Sequence, residues 1–367
     1  MEYYNPVKIL LDVDLPNVVS SIFKNRGRKL IFCSERFSRT QSFSELRSGI
    51  GECEVFSDIE TNPSVKSLEL ALGFAKDYSP ESIIAIGGGS VIDTAKVARY
   101  ACYSNIFDIK GLLGDPVKKD LSKKALFAAV PTTHGSGSEL TMWATAWDKT
   151  SGKKYSISDP ENYPDLAIYD FSLFRSLPVQ VTFTSTLDAF SHSFEALWNK
   201  NSNPISDHFA TEGIKLILNN IGKIGQSVDE RVRKELILAS IYAGLAFSNT
   251  KTAAAHSISY PLTLRYNIPH GIACSMPLFP LLKINSGAIK NKLKKIFSCS
   301  DVKDINGIEQ KVKSAIKGMI PYSISEYGVT RDELPALVDG SFTKERMANN
   351  IVELSVNDVL SVFEAIF

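Results

Sequence analysis

The sequence predicts an α/β domain followed by an all-α domain. Three observations predict it. Strand-like and helix-like runs alternate as far as Pro178. Glycine-rich segments stand directly after two of the strand-like runs. Beyond Leu177-Pro178, helical periodicity replaces the alternation. We therefore divide the chain into residues 1–177 and 178–367. Its 367 residues suffice for two cores.

Residues 29–33 (Lys-Leu-Ile-Phe-Cys) read as a short buried strand. Residues 65–78 have helical spacing, with Leu68, Leu70, Leu72 and Phe74 among the apolar positions. Residues 82–86 are mostly apolar and β-branched, hence a strand, and 91–100 follow as a helix. Residues 125–130 form the next strand, stopped by Pro131. Strands alternating with helices build a mostly parallel, Rossmann-like sheet. In the second half, 205–221, 229–247 and 357–367 read as helices. Residues 239–246 are apolar on most faces, which predicts an internal helix.

A hydrophobic content of 44% is that of an ordinary globular protein, and a net charge of +1 gives no general attraction to nucleic acid or anionic membrane. The lysine clusters at 118–119, 123–124 and 290–295 read as solvated faces. No apolar run reaches the roughly 18 residues of a membrane span. Cys33, Cys53, Cys102, Cys274 and Cys299 are dispersed without a CxxC pair, as in reduced proteins. Residues 1–6 lack the basic-then-apolar order of a signal peptide. The expectation is a cytoplasmic protein with no nucleic-acid or membrane partner.

Gly87-Gly88-Gly89-Ser90 joins a strand to a helix. Residues without side chains let the backbone approach a diphosphate, and the N–H groups at the helix start stabilise its charge. The segment is neither GxGxxG, since Ile92 holds the sixth position, nor a P-loop. Thr132-Thr133-His134-Gly135-Ser136-Gly137-Ser138-Glu139 follows the next strand. Its small hydroxyl residues suit ribose, phosphate or carboxamide. Ligands of parallel sheets bind at such strand ends.

Asp188 and His192 lie four apart, so a helix puts both on one face. With His256 and His270 they offer one carboxylate and three imidazoles, and three of the five histidines are used. Such a set suits Fe(II), Zn(II) or a similar divalent ion. His208 fits no ligand pattern.

Taken in order, the stretch 87–96, the loop 132–139, the Asp188/His192 pair and the His256/His270 pair resemble the iron-containing (group III) alcohol dehydrogenase family. The resemblance covers nearly the whole chain. It implies a nucleotide domain and a helical metal-binding domain in a dehydroquinate synthase-like architecture. Residues 143–148, 154–157 and 256–263 are similar to the phosphonoacetaldehyde reductase branch. That similarity implies reduction of phosphonoacetaldehyde to 2-hydroxyethylphosphonate. The alternatives are another small alcohol or aldehyde, or a dehydroquinate synthase-like lyase. Retention of all four metal-type residues argues against a non-catalytic nucleotide sensor.

The resemblance also implies site roles. Asp188, His192, His256 and His270 hold the metal, Fe(II) or else Zn(II). Gly88, Gly89 and Ser90 bind the diphosphate of NAD(H) or NADP(H), while Thr132, Thr133 and Ser136 approach its nicotinamide half. Lys154 and Asn62 are further cofactor contacts, and Asp93 braces the pocket. Glu35 and Arg36 stand together where NAD is told from NADP, since an acid there repels a 2′-phosphate and an arginine favours it. Two departures from the family pattern stand out. Tyr260 replaces a common histidine four residues after His256, which makes its hydroxyl a possible proton donor beside water or a ribose hydroxyl. His134 replaces a common alanine. Arg265, before Lys154 and Arg36, is the cation proposed to meet a phosphonate. The expected partners are a small aldehyde or alcohol and further copies of the chain, as a homodimer or larger assembly.

Overall fold

The computed structural model describes residues 1–113, 118–148 and 153–367. Eight strands occur among them: β1 (Lys8–Leu11), β2 (Lys29–Cys33), β3 (Glu54–Phe56), β4 (Ser82–Gly87), β5 (Leu126–Pro131), β6 (Trp143–Asp148), β7 (Lys153–Ser158) and β8 (Leu166–Tyr169). Six form one sheet in the order β1-β8-β5-β4-β2-β3, every pair parallel.

The sheet explains the apolar runs. Successive side chains of a strand point to opposite faces. Ile31, Cys33, Ile84, Ile86 and Val130 enter a core with Leu15, Val19 and Phe23. Leu30, Phe32, Ile83, Ala85 and Phe127 enter a second core with Ala95 and Ala98. Both faces are covered, so β2 and β4 are buried throughout and carry no polar alternation. The register sets Cys33 opposite Ile86 and Gly87 opposite Pro131, which aligns the carboxyl ends of β2, β4 and β5.

Helix Val65–Tyr78 has the predicted bounds, and Ser64 caps it by accepting from Ser67 N–H. The helix after β4 runs Gly89–Ser104, longer than the predicted 91–100 at both ends, with Asn105 in the left-handed conformation closing it. Strands β6 and β7 form a separate antiparallel ribbon.

Contacts divide the chain into an α/β unit, Pro6–Thr133 with Ser138–Arg175, and a helical unit, Ser176–Phe367 with Met1–Asn5 and His134–Gly137. The cut at Arg175/Ser176 lies just before Pro178, and two short segments join the helical unit from elsewhere in the chain. Met1–Asn5 is held there by Tyr3 donating to Leu245 O at 3.0 Å and Tyr4 N–H donating to Asn249 Oδ1 at 2.7 Å.

No strand occurs in the described residues after Tyr169. Helices Val179–Leu197, Pro204–Asn220 and Glu230–Thr250 pack against one another. The first is buried over most of its length despite several serines. Ser191 and Ser193 satisfy themselves on Leu187 O and Ala189 O, both at 2.9 Å. No single helix among the described residues is long and apolar enough to cross a membrane.

Candidate functional site

In the helical unit, helix Val179–Leu197 presents Asp188, His192 and Glu195 over two turns. Helix Ala254–Tyr266 carries His256 and Tyr260, and the short helix His270–Ser275 carries His270 and Cys274. One glycine lets the short helix come close. A Cβ on Gly271 would lie 2.0 Å from Thr184 O and 3.0 Å from Asp188 Cβ, so only glycine fits beside His270.

Asp188, His256, His270 and Cys274 each offer a donor atom, and these four lie within 4.8 Å of one another. Asp188 Oδ1 and His256 Nε2 face each other at 3.6 Å. Both are buried and neither has a hydrogen-bond partner. Buried polar atoms are normally paired, so two facing orphans fit a cation that would take both. An oxygen donor with imidazoles is also the right chemistry for a divalent transition ion.

His192 lies alongside this group. Its ring stacks between His256, centroids 4.5 Å apart, and Phe247, at 4.1 Å and 9° between planes. Its Nδ1 donates to Gly135 O at 3.2 Å, because a carbonyl only accepts, which leaves Nε2 with its lone pair. Gly135 reaches that position because its own Cβ would clash with Ser185 Cα at 2.9 Å.

Glu195, absent from the sequence reading, is fully buried and grips His256 twice. Its Oε2 takes Nδ1 at 2.5 Å and its Oε1 takes the backbone N–H at 3.1 Å. This fixes the imidazole with Nε2 turned toward Asp188, the arrangement in which a carboxylate orients a metal-binding histidine. Burial opposes ionisation of Glu195, yet His256 and the N–H groups of Ala253 and His256 hold it below the ordinary carboxylate value. Burial also opposes ionisation of Asp188, but His192, His256 and His270 hold it well below that value. Burial pushes the His192 imidazole down to about 4, so it is neutral at pH 7. For His256 the downward push of burial is outweighed by Cys274, Glu195 and Asp188. A divalent ion would compete with the proton held there.

The other predicted residue of this unit's chemistry is not brought to the cluster. Arg265 is exposed, about two and a half turns beyond His256 and so on the opposite side of its helix. Tyr260, one turn after His256, shares that residue's side and is buried; the Arg346 guanidinium lies 5.2 Å from its ring centroid. Ser136 falls in the helical unit, in the segment His134–Gly137.

The α/β unit gathers the nucleotide-loop residues at the carboxyl ends of its strands. Gly87 ends β4, Gly88 caps the next helix without a side-chain bond, and Gly89 begins it. A Cβ on Gly87 would strike Val91 at 2.4 Å. Gly88 lies against Thr133, whose Oγ1 would be 3.2 Å from an added Cβ. Thr132 N–H donates to Gly87 O at 3.0 Å, tying the two loops together. Asn62 takes a left-handed φ of 55° and donates its N–H to Ser90 Oγ at 3.1 Å. Asp93 is a brace: its carboxylate accepts from Ser138 Oγ, and from Thr145 N–H and Oγ1 at 3.0 and 2.6 Å. Behind it the fully buried Lys96 donates to the carbonyls of Ser138, Thr141 and Trp143 at 2.5, 2.6 and 2.9 Å. Glu35, just past β2, is exposed and paired with Arg39 rather than with Arg36. Lys154 lies over the Trp147 ring at 4.7 Å.

Known proteins share both units. The family model "Iron-containing alcohol dehydrogenase" matches residues 6–171, and the model of the C-terminal part of the Fe-containing alcohol dehydrogenase family matches 182–367. An NADPH-dependent butanol dehydrogenase of Clostridium saccharobutylicum is 29% identical over 86% of this chain and 84% of its own. A sulfoacetaldehyde reductase of Bilophila wadsworthia is 29% identical over 88% and 86%. The crystal structure of sulfoacetaldehyde reductase from Bifidobacterium kashiwanohense in complex with NAD+ superposes with a TM-score of 0.88 at 25% identity, covering 100% of this chain and 98% of that one.

Proposed function

The chain belongs to the iron-containing alcohol dehydrogenase family, and from that premise we propose that it is a metal-dependent, NAD(P)H-linked reductase of a short aldehyde bearing an anionic tail. The specific reaction proposed is phosphonoacetaldehyde to 2-hydroxyethylphosphonate. The observation that carries the reading is the convergence of Asp188, His256 and His270, with two buried atoms facing each other without a hydrogen bond. The anionic tail is supported by two relatives that are sulfoacetaldehyde reductases. Sulfonate and phosphonate are both tetrahedral anions, each one carbon removed from the aldehyde carbon.

Reduction adds a hydride from reduced nicotinamide to the carbonyl carbon and a proton to its oxygen. A divalent ion in this site supplies Lewis acidity that stabilises the negative charge developing on that oxygen. Asp188, His256 and His270 would hold it, with His192 offering Nε2 beside them. Glu195 holds His256 with Nε2 presented to the centre. Tyr260, one turn from His256, is the proposed proton donor, and Arg346 over its ring is the cation proposed to meet the anionic tail. In the α/β unit Gly88, Gly89 and Ser90 would receive a diphosphate at the helix start. Thr132, Thr133 and Ser136 are assigned to the nicotinamide half, and Asn62 and Lys154 are further proposed cofactor contacts. Glu35 is the proposed reader of the adenosine ribose. The proposed assembly is a homodimer or larger, which light scattering would read.

The test is cofactor oxidation by protein loaded anaerobically with Fe(II) or Zn(II). NADH and NADPH are each offered with phosphonoacetaldehyde, sulfoacetaldehyde, acetaldehyde and butanal. Preference for an anionic aldehyde supports the reading, and Arg346→Ala is then expected to raise its KM by about ten- to a hundredfold with little change for acetaldehyde. Equal turnover of neutral aldehydes sinks the anionic tail and keeps the oxidoreductase. No net oxidation with any aldehyde favours a lyase that uses the nucleotide transiently.

A further inference from the structure

Cys274 is the one member of the donor group that the sequence pattern did not suggest. It follows His270 by one helical turn, so both side chains leave the helix on the same side. It is fully buried, and its Sγ lies 3.7 Å from both ring nitrogens of His270. Sγ stands against the imidazole, and its place within 4.8 Å of donor atoms of Asp188, His256 and His270 brings it within reach of an ion shared with them, once the His270 ring turns one nitrogen toward it. An independent observation points to a ligand at the same place. Asp188 Oδ1 and His256 Nε2 are buried, unpartnered and in the same 4.8 Å group as Sγ.

We propose that Cys274 supplies a sulfur donor to this centre, so that its Sγ binds the same divalent ion as Asp188, His256 and His270. The proposal rests on the reading of the cluster as a metal centre. On binding, the S–H bond breaks, the proton leaves to solvent and the thiolate electron pair forms the metal–sulfur bond, with no redox change. The sulfur softens an otherwise oxygen-and-nitrogen set and shifts its preference toward Zn(II) and Co(II).

Cobalt substitution of the full-length, chelator-treated protein separates the two ideas. Expected are visible d–d bands, which report Co(II) in the site, together with an intense near-ultraviolet sulfur-to-cobalt charge-transfer band. Cys274→Ser should lose the charge-transfer band, and Cys299→Ser, on a partly exposed thiol outside the cluster, should keep it. If Cys274→Ser does not fold by circular dichroism, Cys274→Asn serves the same purpose with a different donor. Visible bands in the wild type without charge transfer, or charge transfer that survives loss of Cys274, overturn the sulfur donor and leave the metal centre standing. Absence of visible bands at excess Co(II) overturns the metal centre itself.

Discussion

Each unit buries charge, and the two do so in opposite ways. In the α/β unit the ammonium of Lys96 is enclosed and fully spoken for by three carbonyls. Arg99 beside it donates to Asp165 at 2.6 Å and to the carbonyls of Ala125 and Tyr163 at 2.9 and 2.8 Å. In the helical unit Asp188 and His256 are also buried, yet Oδ1 and Nε2 face each other at 3.6 Å without a hydrogen bond. A buried charge whose partners are complete holds the fold together. A convergence of buried groups left incomplete is built for something that arrives later. The difference separates structural motif from chemical site, even though both appear in the sequence as polar residues within apolar helices.

Four substitutions test that contrast. Asp188→Asn should have the largest effect: turnover by the metal-loaded protein falls on the order of a thousandfold, about 4 kcal/mol of barrier. Its unfolding midpoint should fall modestly, since His192, His256 and His270 hold the carboxylate in its ionised form and that attraction is lost with the charge. Loss of stability with turnover left intact would show that Asp188 belongs with Lys96 as a structural group. Lys96→Met should behave in the reverse way, losing about 3–5 kcal/mol in denaturant unfolding because three buried carbonyls lose their donor. Full stability there would dissolve the contrast from the other side.

Glu195→Gln tests whether satisfaction of one atom prepares the other. The amide still accepts a hydrogen bond but no longer fixes His256 as a carboxylate does. Metal affinity by competition with a chelator is expected to drop about ten- to a hundredfold, with the fold intact. The smallest effect concerns His134, buried to 2% exposure. Burial pushes its imidazole from an ordinary 6.5 down to about 4. A base whose folded value is depressed gives stability that is full above about pH 6.5 and lost as pH falls toward 4. Between pH 7.5 and 5 that share is about 2 kcal/mol. His134→Ala should flatten the stability–pH slope by that amount and leave the share of His192.

Much of the α/β unit was legible because β2, β4 and β5 are apolar runs of five or six residues, buried on both faces. Strands β1, β3 and β8 were not, since three or four residues are too few to show a period, and β1 is half exposed. The ribbon of β6 and β7 carries Thr145, Lys153, Lys154 and two serines, so it offers no apolar signal, although its residues carried the resemblance. In the site, Asp188, His256 and His270 were legible by residue type. Glu195 and Cys274 were not, because an acid or a thiol in an apolar helix acquires meaning only from its three-dimensional neighbour. The spacing that could have exposed them is modest: Glu195 is three residues after His192, and Cys274 four after His270. Arg265 misled for the converse reason, since closeness along the chain says nothing about the side of the helix.

Gly271 touches no ligand atom, yet its missing side chain sets how near His270 can come to Asp188. Every single-nucleotide change of a glycine codon that alters the amino acid adds at least one carbon. At this position that carbon collides with the Thr184 carbonyl. The residue therefore has no neutral neighbour in sequence space. In a saturation library selected for activity, position 271 should be as empty of substitutions as the donors themselves, and a drift toward other substrates has to proceed through side chains around the centre rather than through its spacing.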